Sequence, residues 1–181
     1  MRMSSSSSGE GAGGGQDDGG TSQASRISEL VETLSSGGTP FDEQLLGGGP
    51  WQVLYTTGRV QLWKATYDYG KQVTGRKNEA SQDVDPKNRT VLNRADYIDE
   101  VLYVTAQGTY LPDESETPGI TPAPITVTIT SGTVNAWGRV INLPIQGTGK
   151  FEVAYLDEDL RIFRSQGSIA VQVRKGSMES S

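Results

Sequence analysis

The stretch Ile125-Thr126-Val127-Thr128-Ile129-Thr130 decides how this chain folds. Branched apolar residues alternate with threonine. That places Ile125, Val127 and Ile129 on one face and the three threonines on the other, the period-two pattern of a half-buried strand. Ile169, Val171 and Val173 repeat it. Working outward, the same reading predicts strands at 51–57, 60–67, 79–84, 90–97, 101–111, 125–130, 133–143, 150–156, 160–164 and 168–174. The connections carry turn chemistry: Asp85-Pro86-Lys87-Asn88, Ser131-Gly132, Asp157-Glu158-Asp159 and Ser165-Gln166-Gly167. Many short strands with no helix between them point to an all-β sandwich or barrel, not to βαβ units. Lys71 to Asn78 and Pro112 to Pro124 are the longer loops, the second holding Pro112, Pro118, Pro122 and Pro124.

Before the strands the composition changes. Residues 1–23 are dominated by Ser and Gly. Such a stretch buries too little apolar surface to offset its ordering entropy and reads as a flexible tail or linker. A transit peptide would also be Ser-rich, but Arg-rich and poor in acids, which fits only Met1 to Gly9. Residues 24–36 read as an amphipathic helix, with Ser25 as N-cap, Ile27, Leu30, Val31 and Leu34 at helical spacing, and Gly37-Gly38 ending it. A helix of this length needs packing to persist. The expectation is a plug across one barrel mouth, the alternative a partner-docking helix. Residues 49–175 form the β domain and 176–181 a C-terminal tail.

Composition prunes the functions. The chain has 181 residues with a net charge of −6, which argues against a basic nucleic-acid-binding face and against electrostatic docking on anionic lipid. There is no cysteine, so disulfides and thiolate chemistry are excluded. There is no histidine either, which removes the usual general base, the usual zinc ligand and any Ser-His-Asp triad. No apolar run approaches the roughly 20 residues of a membrane-spanning helix. The Gly47-Gly48-Gly49 run enters a strand instead of a helix and so does not match a nucleotide-binding loop. No catalytic constellation, cofactor site or metal site is expected.

Three segments, in order, resemble the plastid lipid-associated (fibrillin, or plastoglobulin) family. The first is Gly49-Pro50-Trp51-Gln52-Val53-Leu54-Tyr55-Thr56-Thr57, similar to that family's opening Gly-x-Trp strand. The second is Ser81-Gln82-Asp83-Val84-Asp85 with Asn88-Arg89-Thr90-Val91-Leu92-Asn93, similar to its middle hairpin. The third is Tyr155-Leu156-Asp157-Glu158-Asp159-Leu160-Arg161-Ile162-Phe163-Arg164, followed by Gly167 and Val171-Gln172-Val173-Arg174. The chain departs from the family at Ser165, where Gly is usual. The resemblance implies a closed antiparallel lipocalin-like β-barrel of about eight to ten strands, plastid residence, and association with thylakoid membranes or plastoglobule lipid droplets.

Residue roles follow. Gly49, Trp51, Asp157, Leu160, Arg161 and Arg164 carry the family motif and read as structural. Trp51 closes the barrel floor, its N–H finding a carbonyl, with Arg161 or Arg164 stacked over it. Trp51, Tyr55, Tyr103, Tyr110, Trp137, Phe151 and Tyr155 are candidates to line an apolar cavity or fill a core. Trp63 and Tyr67 share one strand face and form a candidate surface-docking patch. The expected function is non-enzymatic binding or organising of a small lipophile (prenyl-lipid, carotenoid or fatty acid) at a thylakoid or plastoglobule surface, with peripheral membrane association and no nucleic acid. The alternative is a structural or assembly subunit docked on a photosynthetic membrane complex. Asp157, Glu158 and Asp159 look like a calcium loop but are too few for one, and read as a turn whose Asp caps backbone N–H groups and pairs with Arg161 or Arg164. A calcium titration followed by thermal melting is expected to leave the midpoint unchanged; a rise with calcium would reassign the loop.

Overall fold

The computed structural model describes residues 19–57, 79–98, 100–113 and 119–176, with the side chains of residues 19–22 and 24 outside that description. The expected strand at 60–67, with Trp63 and Tyr67, lies outside the described residues, as does the loop 71–78. Nine strands are present among the described residues: β1 (Trp51–Thr57), β2 (Glu79–Asp85), β3 (Thr90–Ile98), β4 (Leu102–Pro112), β5 (Ala123–Ala136), β6 (Arg139–Leu143), β7 (Gly147–Leu156), β8 (Leu160–Ser165) and β9 (Ser168–Arg174). All neighbouring pairs are antiparallel, and a β4–β5 pairing closes the sheet on itself. The result is the expected all-β, lipocalin-like closed barrel of eight strands, in the order β1-β2-β3-β4-β5-β7-β8-β9. β6 stands outside the ring and pairs along the far half of β5.

The expected turn at Ser131-Gly132 does not exist. β5 runs unbroken through both residues for 14 positions. Gln107 pairs with Ser131 and Gly108 with Ile129, so Thr130 is the extra residue of a β-bulge. Small residues here bend the strand without reversing it. The first half of β5 (123–129) therefore pairs with β7, and the second half (132–136) swings out to pair with β6. The chain reverses at Trp137-Gly138, where both residues have positive φ, as a type I′ hairpin requires. A Trp in that position carries no turn signal in the sequence. The Ser165 departure is benign: Gln166 and Gly167 occupy the β8–β9 turn, and Ser165 pairs with Ser168 in the ladder.

The helix, α1 (Gly19–Ser36), begins earlier than expected, so Ser25 lies inside it and is not its N-cap. Its seat also differs from the expected plug. Strand side chains alternate between two clusters. Val153, Phe163 and Ala170 point into the barrel, while Ala154, Ile162, Ile169 and Val171 point outward. Ile27 and Val31 of α1 pack against the outward set, so the helix lies on the outer wall over β7, β8 and β9. The outward apolar residues require that cover. Glu32 pairs with Arg164 at 2.8 Å and holds the helix there. Leu30 and Leu34, expected on the buried stripe, are exposed.

One barrel end is plugged nonetheless, by a 3-10 turn at Glu43–Leu46. Asp42 caps it by accepting from Gln44 N at 2.9 Å. Leu46 enters the interior cluster. Glu43 accepts from Tyr110 Oη at 2.9 Å and from Arg89 Nε at 3.1 Å, fixing the plug to the β2–β3 turn and to β4. The preceding loop is tied down by Thr39, whose carbonyl accepts from Thr121 N and whose N–H donates to Thr121 Oγ1, both at 2.8 Å.

The bulge rests on one backbone contact. A Cβ at Gly108 would overlap the Thr128 carbonyl oxygen. Gly108→Ala is therefore expected to lower stability by about 1–3 kcal/mol in denaturant unfolding, as overpacking of a tight contact does. An unchanged midpoint would show that β4 and β5 can separate there at no cost.

Candidate functional site: a barrel with a charged floor and an apolar lumen

The barrel encloses a cavity of about 1250 Å³. Its walls are set by strand alternation, with Ala80 of β2, Val91 of β3, Val104 of β4, Val127 of β5 and Phe151 of β7 among the inward residues. At the far end Ile145, Gln146, Gly147 and Thr148 line it and are themselves exposed, so the lumen reaches the surface beside the β6–β7 connection.

The closed end is built around Trp51, which is 0% exposed. Its indole N–H donates to Leu46 O at 3.1 Å and Gly47 O at 3.3 Å, both in the plug. Gly49 is required here because a Cβ would sit 2.7 Å from the indole. Arg161, also 0% exposed, lies over the indole at 4.5 Å, and Arg174 lies 4.4 Å from the same ring. Arg161 and Arg164 are both compatible with this stack in sequence, and the structure selects Arg161. Arg164 points the other way, to Glu32 on α1.

Arg161 has three neutral acceptors, each at 2.7 Å: Nη1 donates to Leu46 O, Nη2 to Gln82 Oε1 and Nε to Gln172 Oε1. Gln82 passes the interaction on, its Nε2 donating to Asn93 Oδ1 at 2.7 Å. Arg174 likewise bonds backbone carbonyls, of Gly47, Gly48 and Glu158. Burial, then the adjacent Arg174 guanidinium, push the Arg161 pKa well below its ordinary value. An arginine starts so high that it keeps its proton. The floor therefore holds a desolvated cation whose hydrogen-bond partners carry no charge. Tyr110 seals the same end; burial first, and its hydrogen bond to Glu43 second, raise its phenol pKa above the ordinary value.

Among the aromatic candidates, Trp51 and Tyr110 are buried in the barrel at its floor end, and Tyr110 and Phe151 line the lumen. Tyr55, beside the β1 bulge, is not among the lining residues; Val53 and Thr56 take that wall. Tyr103 pairs with Arg94 by a cation–π contact at 4.0 Å, and Asn135 Nδ2 donates to its hydroxyl. Tyr155 packs in the outer cluster and donates to Asp157 Oδ2 at 2.8 Å. Trp137 is 71% exposed at its hairpin tip. Asp157 caps the β7–β8 turn, its Oδ1 accepting from Asp159 N at 2.8 Å and Leu160 N at 2.7 Å. The expected pairing of this turn with Arg161 or Arg164 is not made, because both arginines are engaged elsewhere. Leu160 is half-buried on β8.

Sequence reasoning misses Gln82, Asn93 and Gln172, the polar layer above the floor. Their signal is nevertheless present: each interrupts an inward series of apolar positions, next to Ala80 and Val84, Val91 and Ala95, or Ala170. Comparison with family models, curated proteins and solved structures finds no match to this chain.

Arg161→Lys keeps the charge but loses the fork that holds two amides and a carbonyl. It is expected to cost about 2–4 kcal/mol in chemical denaturation, because buried acceptors lose their donors. A variant as stable as wild type would show that the floor does not depend on the guanidinium.

Proposed function

We propose that this protein is a non-enzymatic carrier that holds one small lipophilic molecule (a prenyl-lipid, carotenoid or fatty acid) and works at a lipid surface. The observation that carries the reading is the apolar lumen of about 1250 Å³, closed at one end and reaching solvent at the other. Water in such a lumen finds few polar partners, so its replacement by hydrocarbon is favourable. Dedicated small-molecule sites run to about 1,000 Å³, so this space suits a long-chain molecule.

The surface near the mouth supports the second half of the proposal. The β5–β6 hairpin exposes Trp137, with Val140 at 63% and Ile141 at 57%. From Gly119 to Gly149 the one charged residue is Arg139, so the protein's net negative charge resides elsewhere. Trp137 also holds a positive φ, a strained conformation for a bulky residue, which places its indole at the tip. Exposed apolar patches with an aromatic anchor suit a neutral lipid interface. The resemblance to plastid lipid-associated proteins favours a thylakoid or plastoglobule surface. A second reading, a subunit docked on a photosynthetic membrane complex, draws on β6, which among the described residues pairs only with β5 and so offers an edge for strand addition.

The test is titration with a fluorescent long-chain lipophile, then native mass spectrometry of the protein from its own source. Wild type is expected to bind one equivalent. Ala95→Trp, which fills the lumen, should abolish binding with melting retained. Val140→Asp with Ile141→Asp should leave binding in solution intact and reduce sedimentation with neutral phospholipid vesicles severalfold. A chain that takes up no lipophile and appears bare within a large assembly would sink the carrier reading in favour of the docked subunit.

A further inference from the structure

We infer that the lumen takes an amphiphile whose head group is a hydrogen-bond acceptor, a carboxylate or a quinone-type carbonyl, seated head-down on the amide layer formed by Gln82, Asn93 and Gln172. This deepens the carrier reading and rests on it.

Arg161 sets the polarity of that layer. A guanidinium has donors and no acceptor, so any amide that meets it must turn its oxygen toward it. Gln82 and Gln172 do so, each at 2.7 Å. Their amide nitrogens are thereby turned away from the cation. Gln82 Nε2 donates to Asn93 Oδ1, which fixes the Asn93 amide in the same sense and makes its Nδ2 the outer end of the relay. All three residues line the cavity. Arg161 thus dictates that the deep end of an apolar lumen presents N–H groups, those of Asn93 and Gln172.

Polarity and charge agree. Each amide in the relay is polarised by the one behind it, and the series begins at a cation, which strengthens the terminal donors. The hydrogen bonds of Arg161 and Arg174 go to carbonyl oxygens, so two guanidinium charges sit on the Trp51 indole with no carboxylate hydrogen-bonded to them among the described residues, Asp83 acting on Arg161 through its charge alone. In a low-dielectric lumen that field favours an acceptor, above all an anionic one, and opposes an ammonium head. The hydrocarbon chain then lies along the apolar wall toward the mouth.

The experiment uses the full chain and competition against a bound fluorescent polyene fatty acid, cis-parinaric acid. Hexadecanoic acid, a decyl-substituted quinone and hexadecylamine are the competitors, and Asn93→Asp is the variant. The carboxylate it introduces can still accept from Gln82 but turns a negative oxygen, in place of the N–H donor, toward the head group. In wild type the acid, the quinone or both are expected to compete about tenfold or more better than the amine, the scale of a hydrogen bond to a charged group. Preference for the acid over the quinone assigns an anionic head, and the reverse assigns a neutral carbonyl. Asn93→Asp should weaken the acid about tenfold and reduce the discrimination against the amine. If acid, quinone and amine compete equally in wild type, the head-down seat is refuted while the carrier reading stands, whether or not the variant folds. If neither the probe nor any competitor binds, both readings fall.

Discussion

The contact between the Trp51 indole and the Arg161 guanidinium is the constraint around which the molecule is arranged. A buried cation is costly unless several oxygens face it. No single element here can supply them. Leu46 belongs to the plug, Gln82 to β2, Gln172 to β9, and Arg161 itself to β8. The guanidinium is satisfied only when these elements have converged, which requires the barrel to be closed. The indole N–H imposes a parallel demand on the plug carbonyls of Leu46 and Gly47. Cation and indole therefore specify one end of the barrel together, and they make it an all-or-none feature.

Strand alternation makes the barrel legible. Where inward and outward positions differ in polarity, as at Ile125–Thr130 or along β9, strand, face and boundary can be read together; β1 and β9 have their expected limits. Legibility fails where the same local signal has two physical outcomes. Ser131-Gly132 is small and flexible in either a turn or a bulge, and only the pairing with Gln107 and Gly108 distinguishes them. The seat of α1 departs from expectation for a related reason. An amphipathic stripe shows that a helix needs an apolar partner but not which one. The deciding fact is that Ile162, Ile169 and Val171 face outward and need cover.

The site is legible in part for the same reason. Trp51 with an Arg can be read from the motif, since both residues carry chemistry that stands out in sequence. Gln82, Asn93 and Gln172 show in sequence only as interruptions of an apolar series, without a role attached. A glutamine in a strand reads as a surface residue until its face is known, and its meaning here comes from a cation far away in the chain. Aromatic side chains mislead in the opposite direction. Tyr103 and Tyr155 can pack against an apolar surface at one end and hydrogen-bond at the other, so they serve the outer wall as well as a lumen.

The two barrel ends differ in polarity. The floor gathers Arg161, Arg174, and the Glu43 bridge to Arg89 and Tyr110, all fixed by hydrogen bonds. The mouth is bordered by a hairpin whose sequence carries a single charge, Arg139. On the proposed reading, a lipophile leaving a membrane meets apolar contact first at Trp137, Val140 and Ile141 and next at Leu143 and Ile145, passes the polar rim of Gln146 and Thr148, and reaches the amide layer at full depth. Apolar burial accumulates gradually along that path and favours any hydrocarbon equally. Directional bonding from the Arg161-oriented amides acts at the deep end. On that reading the hydrocarbon and the head group are held by separate parts of one tube, because the hydrophobic effect has no direction and the amide N–H groups oriented by Arg161 do.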